Sequence, residues 1–434
     1  MLGTIVHSFI ALGVLIFVHE LGHFLVAKKG GIRVERFSLG LGPKIFGFQR
    51  GETEYCLSWI PFGGYVKVAG MADVGTEDFR GEPWEFPSKP VWLRMAVIGA
   101  GPFMNFAFAF VALFVLFAAY GVETYDSTLV EAGEDSAAAR AGVLKGDRVT
   151  HIDGRRVENP YQLLSALEDG EGRGATLTVE RGGEGFELGL AAGDDPNYGL
   201  QLLPSTAVGQ VVEDMPAAAA GLREGDRIVA VAGVEVGHWD DMSTQIRQNP
   251  DREVDLVWLR DGERVEARIT PAGLEIGGEV VGRIGIRPLI VHNSVGLGDA
   301  VGMSLERVVT ISWLIVDFIG EIFQGERSTE ELGGPLRIAQ MAGQSAEQGF
   351  KHFLGFMAML SVNLAVINLL PVPVLDGGHL TFLTLEAIMR RPLSLRQRER
   401  LQQVGLVLML CLMVLVTFND VTQMFVPRIM ELFQ

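Results

Sequence analysis

Cysteine is nearly absent: only Cys56 and Cys411 occur in 434 residues. One falls in a loop-like stretch and the other inside an apolar segment, which argues against a disulfide framework and against a cysteine-ligated metal. Basic charge is scarce as well, with 36 Lys and Arg against 53 Asp and Glu and a net charge of −17. That balance speaks against nucleic acid as a partner. The first apolar run lacks a positively charged leader and a small-residue cleavage pattern, so it reads as a retained span and not as a cleaved signal peptide.

What is present is hydrophobicity, at 48% of residues, gathered into long runs. Candidate spans are Ile5–Ala27, Met95–Tyr120, Phe353–Leu375 and roughly Val404–Phe418. Lys28, Lys29, Arg33, Arg36, Lys44 and Arg50 follow the first span. Arg390, Arg391, Arg396, Arg398 and Arg400 follow the third. The positive-inside rule puts both loops in the cytoplasm. Residues 121–300 hold 32 Asp and Glu against 16 Lys and Arg, a difference of −16 that accounts for nearly the whole net charge. This acidic region is expected outside the cytoplasm. Residues 301–323 are also apolar but carry Glu306, Arg307, Asp317 and Glu321, and fit an amphipathic helix on the outer surface better than a span.

Inside the first run stands His19-Glu20-Leu21-Gly22-His23. On a helix, residues four apart share a face, so both imidazoles can bind one zinc ion. Glu20 lies beside the first ligand, where it can take a proton from a water at the metal. Ionisable groups are costly in hydrocarbon, so three of them there point to function. His7 is about 18 Å from His19 along a helix and cannot share the ion.

A catalytic zinc with an open position needs a third protein ligand. Asp376 is the preferred candidate, at the end of the third run in Asn368-Leu-Leu-Pro371-Val-Pro373-Val-Leu-Asp376-Gly377-Gly378-His379. Pro371 and Pro373 should unwind the helix there, and Gly377 and Gly378 permit close chain approach. Both motifs then fall at the inner ends of spans running in the same direction, at similar depth. His379 is the rival ligand, three residues on, with a supporting role as its other option.

The acidic region repeats. Residues 135–157 (DSAAARAGVLKGDRVTHIDGRRV) match 214–236 (DMPAAAAGLREGDRIVAVAGVEV) at an offset of 79. Gly142, Gly146 and Asp147 align with Gly221, Gly225 and Asp226. The pattern resembles bacterial PDZ domains, which take extended peptides at a strand edge. The loops before Gly199 and Gly285 are candidate peptide grooves, and steric filtering over a membrane site is the competing role.

Taken together, the chain resembles the site-2 protease family of intramembrane zinc metalloproteases over essentially its full length. The resemblance rests on His19-Glu20-x-x-His23, Gly101-Pro102-x-x-Asn105, the tandem PDZ-like repeat and Asn368-x-x-Pro371-x-Pro373-x-Leu375-Asp376-Gly377-Gly378. It implies a polytopic α-helical membrane protein with four transmembrane helices, a re-entrant β element and two extracytoplasmic β-rich PDZ domains. The expected divisions are 1–27, the first span with the zinc motif; 28–94, a cytoplasmic loop with the β element; 95–120, the second span; 121–205 and 206–290, the PDZ domains; 291–350, an amphipathic helical region; 351–376, the third span with the third ligand; 377–400, a cytoplasmic loop; and 401–426, the fourth span. Gly63, Gly64 and Tyr65 would offer a strand edge to an unwound substrate, with Asn368, Pro371 and Pro373 also handling it. The implied substrates are single-span membrane proteins, such as an anti-sigma factor in envelope stress, and remnant signal peptides. The implied setting is the lipid of a bacterial inner membrane, with the PDZ domains in the periplasm and the active site toward the cytoplasmic leaflet. A non-enzymatic adaptor with a structural zinc would want four ligands, and a metal transporter would want a polar path through the other spans.

Overall fold

The computed structural model describes residues 2–71, 79–170, 173–193, 195, 197–276, 279–328, 333–391 and 395–432. The side chains of Pro61, Phe62, Arg396 and Arg398 lie outside the described residues. The chain forms two compact units, residues 1–120 with 295–434, and residues 121–294. Cys56 and Cys411 are both free.

The first unit is helical. Helix α1 (Leu2–Lys29) is free of proline and mostly apolar, broken by His7, by His19, Glu20 and His23, and by Lys28 and Lys29 at its end. An antiparallel hairpin follows, β1 (Val34–Arg50) with β2 (Thr53–Val68). Helix α2 spans Val91–Tyr120, and after the second unit come α3 (Leu297–Gln324), α4 (Pro335–Glu347), α5 (Phe350–Leu369), α6 (Asp376–Met389) and α7 (Leu395–Leu432). Among the described residues four helical stretches are long and apolar enough to cross a membrane: Gly3–Lys29, Val91–Tyr120, Phe350–Leu369 and Arg400–Gln423. Helix α3 is not among them. It packs Val308, Ile311 and Ile315 near Ala109 of α2 and Val362 of α5, while Leu305, Val309, Trp313 and Leu314 are exposed.

Helix α5 stops at Leu369, six residues short of the sequence expectation, because Pro371 and Pro373 lack the amide hydrogens a helix needs. Helix α4 begins under a carboxylate from α7. Asp420 accepts from the amides of Gly334 (2.8 Å), Leu336 (3.0 Å) and Arg337 (3.1 Å), satisfying donors left free at a helix start.

The second unit repeats itself as the sequence repeats. In its first module five strands run antiparallel in the order Glu184–Leu190, Ala175–Arg181, Asp147–Ile152, Leu129–Ala132, Leu200–Leu203, and a sixth, Arg155–Arg156, pairs with Asp147–Ile152 off this path. Its core centres on Val130, Val149, Leu163, Leu177 and Val179. In the second module the order is Val234–Glu235, Arg227–Val231, Val254–Arg260, Glu263–Ile269, over Ile228, Met242, Leu256 and Trp258. One polar device occurs in both. Arg181 donates to Asp147 and to the Gly142 carbonyl, and Arg260 donates to Asp226 and to the Gly221 carbonyl. Both ion pairs sit at the same offset of 79, and Gly142 and Gly221 both adopt positive φ, +86° and +78°. Strands Val122–Tyr125 and Ile290–Asn293 pair with each other, so the unit is closed where it leaves and rejoins the helices.

Candidate metal centre

Three helices meet at the centre. Helix α1 presents His19 and His23, their Nε2 atoms 3.1 Å apart. Asp376 supplies Oδ2 at 3.1 Å from His19 Nε2 and 3.6 Å from His23 Nε2. Two ligands each about 2.0–2.1 Å from a tetrahedral ion stand about 3.3–3.4 Å apart, so this spacing fits one zinc-sized cation. Among the described residues no other set of three His, Cys, Asp or Glu ligand atoms converges in this way.

Close helix approach makes the geometry possible. A Cβ on Gly22 would lie 2.2 Å from the Ala100 carbonyl oxygen, and one on Gly101 would lie 2.3 Å from His23 Nε2. Glycine at both positions lets α1 and α2 touch backbone to side chain, as small residues do between membrane helices. Asp376 arrives differently. It opens α6 instead of closing the third span, after the unwound link of residues 370–375. A Cβ on Gly377 would meet the Leu369 carbonyl oxygen at 2.2 Å, and one on Gly378 the Val372 carbonyl oxygen at 2.2 Å. Only glycine lets the chain fold back so tightly over the end of α5.

The imidazoles are held by partners on α2. His23 Nδ1 donates to the Val97 carbonyl at 2.8 Å, which leaves Nε2 unprotonated and able to bind a cation. His19 Nδ1 faces the Asn105 amide at 3.3 Å. Asn105 is 1% exposed, and its Oδ1 has no partner. The amide oxygen and nitrogen exchange places by a half-turn. With the oxygen toward His19, Nδ1–H is satisfied and Nε2 is free for a metal. A metal-binding His19 thus selects the orientation in which the Asn105 amide oxygen accepts from Nδ1–H. The Ser361 hydroxyl donates to the Asn105 carbonyl at 2.8 Å, tying α5 to the same residue.

The remaining sequence candidates fall as follows. Glu20 follows His19 on α1, and a Cβ on Gly64 would stand 2.9 Å from Glu20 Cγ, so strand β2 runs beside the carboxylate. Gly63 has φ of +135°, a conformation open to glycine. Tyr65 pairs with Ser38 across the hairpin, and its hydroxyl accepts from Arg36 at 3.2 Å. Asn368 lies in the last turn of α5, and Pro371 and Pro373 in the unwound link. His379 is not in the converging group; its ring stands edge-on to Phe382, centroids 6.3 Å apart. Val97 and the roles of Asn105 and Ser361 escaped the sequence reading. Asn105 had a signal, its place in Gly101-Pro102-x-x-Asn105, whereas Val97 acts through a carbonyl that every residue carries.

Comparison with known proteins agrees with this chemistry. Peptidase family M50 matches residues 7–412. A protein named as a zinc metalloprotease in Neisseria meningitidis is 35% identical over 445 residues, covering 97% of this chain and 99% of that one. The regulator of sigma-E protease of Escherichia coli is 34% identical over 454 residues, covering 96% and 97%. The PDZ domain of an SdrC-like protein from Listeria innocua is similar over 21% of this chain and 99% of that domain, at 23% identity and a TM-score of 0.18. With the family match spanning almost the whole chain, and with relatives of this identity covered nearly end to end, the chain belongs to peptidase family M50, the site-2 proteases, and is a zinc metalloprotease.

Proposed function

We propose that the chain hydrolyses peptide bonds within the transmembrane segments of single-span membrane proteins, using zinc held by His19, His23 and Asp376. The observation that carries this reading is the convergence of those three ligand atoms from helices α1 and α6, with α1 itself apolar and long enough to span a bilayer.

Zinc, when bound, supplies Lewis acidity that polarises a peptide carbonyl and makes water acidic near neutrality. Glu20 accepts the proton of the attacking water and returns it to the leaving amine as the carbon–nitrogen bond breaks. Val97 and Asn105 hold the two imidazoles in the tautomer that leaves Nε2 free. A transmembrane helix hides its amides in internal hydrogen bonds, so it must unwind before it is cut. In the hairpin, residues 54–57 of β2 pair on both sides, with 36–39 and 46–49 of β1, whereas residues 64–68 pair only with 34–39, and Gly63, Gly64 and Tyr65 would offer that outer edge to the unwound substrate. Asn368 and the link containing Pro371 and Pro373 would hold the same segment.

The two β-rich modules are read as PDZ domains outside the cytoplasm, the hairpin as a re-entrant element, and the metal site as lying toward the cytoplasmic leaflet of a bacterial inner membrane. The acidic balance of residues 121–300 and the arginine- and lysine-rich loops support that orientation. A cavity of about 400 Å³ in the second module, lined by Met215, Trp239, Met242, Ile246 and Ile286, supports peptide binding there, alongside the filtering of substrates not yet shortened on their outer side. By analogy with the relative named for sigma-E regulation, the substrates are an anti-sigma factor and remnant signal peptides.

The test is cleavage of a tagged single-span substrate in liposomes by the wild type and by Glu20→Gln, with zinc content measured on both. Cleavage by the wild type alone, with zinc present in both, is the expected result. Equal cleavage would remove Glu20 as the base. Zinc in both with cleavage by neither, on a substrate already trimmed on its outer side, would count against an intramembrane protease.

A further inference from the structure

Helix α2 turns one stripe toward the metal centre: Arg94, Val97, Gly101 and Asn105, at spacings of three, four and four. Val97 fixes His23, Gly101 makes room for His23, and Asn105 faces His19. Arg94 heads the same stripe, about 16 Å from Asn105 along the helix. Its guanidinium reaches Glu386 of α6 with both nitrogens, Nη1 at 3.3 Å from Oε2 and Nη2 closer still to Oε1, while Nε donates to the Lys89 carbonyl at 3.1 Å. The two side chains are only 9% and 10% exposed.

Helix α6 has particular need of such a contact. It starts at Asp376 with no side-chain cap, since Leu375 carries no acceptor and the Asp376 carboxylate points to the two histidines. The link before it is broken by two prolines, so α5 does not dictate its direction. Glu386 lies ten residues on, about 15 Å along the helix. A buried, two-pronged ion pair contributes little net stability over an apolar pair of the same volume, but it fixes register, since any slide or rotation leaves buried charges unpaired.

We propose that the Arg94–Glu386 ion pair is a positioning device for the third metal ligand: it locks α6 in register on α2, the helix that already orients both histidines, and so sets the reach of Asp376. This rests on the reading of His19, His23 and Asp376 as the ligands.

The test uses the full-length protein purified in detergent with zinc bound, and reads the chelator concentration that removes half the metal. Helical content is checked by circular dichroism. Glu386→Gln and Arg94→Gln should lose zinc at about tenfold less chelator than wild type, within the range typical for groups that support metal ligands. The exchange Arg94→Glu with Glu386→Arg should recover part of that loss. Arg94→Lys, which keeps charge but not the planar fork, should fall between, and it serves if the other single variants do not fold. Asp420→Asn is the control: it removes a buried carboxylate that ties α7 to α4, and it should lower thermal stability without changing zinc retention. Wild-type retention in the folded single variants, or in Arg94→Lys if only that one folds, would overturn the proposal and leave the ligand assignment standing. Equal loss in Asp420→Asn would also overturn it, since the effect would then be general loosening. A wild type that binds no zinc would remove the ligand reading, and the proposal with it.

Discussion

The side-chain amide of Asn105 lies 3.3 Å from His19 Nδ1, although 86 residues separate the two in the chain. The contact decides which ring nitrogen of His19 carries the proton. Asn105→Leu keeps the volume but leaves Nδ1–H without an acceptor in a buried site. It should weaken metal retention about 10- to 100-fold, as loss of a ligand's hydrogen-bond partner does. Asn105→Asp retains an acceptor and should stay closer to wild type. Chelator competition on the two purified variants checks this, and equal retention in Asn105→Leu and wild type would show that His19 needs no such partner.

Gly101 and His23 give a steric counterpart. A Cβ at Gly101 would approach His23 Nε2 to 2.3 Å and His19 Cε1 to 2.8 Å. Real side chains do not tolerate such distances, and the imidazoles would have to turn away from the ion. Gly101→Ala should therefore keep helical content near wild type, since alanine favours helix over glycine by about 1 kcal/mol. It should nevertheless lose both zinc and cleavage. Zinc analysis with circular dichroism on one preparation separates this from unfolding.

These two residues also mark how far the centre can be read from sequence alone. His19 and His23 are legible because the helical period brings residues four apart to one face. Asp376 is legible because two prolines and two glycines announce a broken helix at the depth of the histidines. Its local setting is not: the expected third span ends on Asp376, whereas the structure makes Asp376 the opening residue of α6, a reversal that depends on Gly377 and Gly378 folding back over Leu369 and Val372. Asn105 is legible as part of a motif without a role. Arg94 and Glu386 carry no local signal, being 292 residues apart with no motif around either. In the acidic unit the repeat shows the two modules plainly, but the pairing of Val122–Tyr125 with Ile290–Asn293 joins its two ends, and no short-range pattern encodes that.

The repeated ion pair gives the second module a pH signature. Burial pushes the Asp226 carboxyl up, but hydrogen bonds from Arg260 and the Arg223 amide outweigh it and hold the group below the ordinary carboxylate value of about 3.9. A depressed folded-state value stabilises the folded form above the ordinary value and loses that contribution as pH falls through the depressed one. The module should thus keep this contribution at neutral pH and shed it only in acid below about pH 4. Asp226→Asn should destabilise the module by roughly 2 kcal/mol at neutral pH and flatten the acid limb of its melting curve. Tryptophan fluorescence follows it, because Trp258 lies in this module's core. An acid limb unchanged by the substitution would place the titrating groups elsewhere.

Gly64 separates binding of metal from use of it. A Cβ at this position would meet Glu20 Cγ at 2.9 Å, Ile16 Cγ2 at 3.0 Å and the Ser38 carbonyl oxygen at 3.0 Å. The first two atoms belong to α1 and the third to β1, so a side chain there would wedge the hairpin away from the helix that carries the base. None of these three nearest atoms belongs to a metal ligand. Gly64→Val should therefore hold zinc as the wild type does, while Glu20 is displaced and the β2 edge moves off the path of an unwound substrate. General acid–base catalysis contributes typically 10²- to 10⁴-fold, so a loss of kcat of about 100-fold or more is expected. Zinc content and single-turnover cleavage, measured on the same sample, check both halves. Loss of zinc together with activity would mean that the hairpin supports the ligands themselves, and full activity would mean that strand β2 stands clear of the reacting groups.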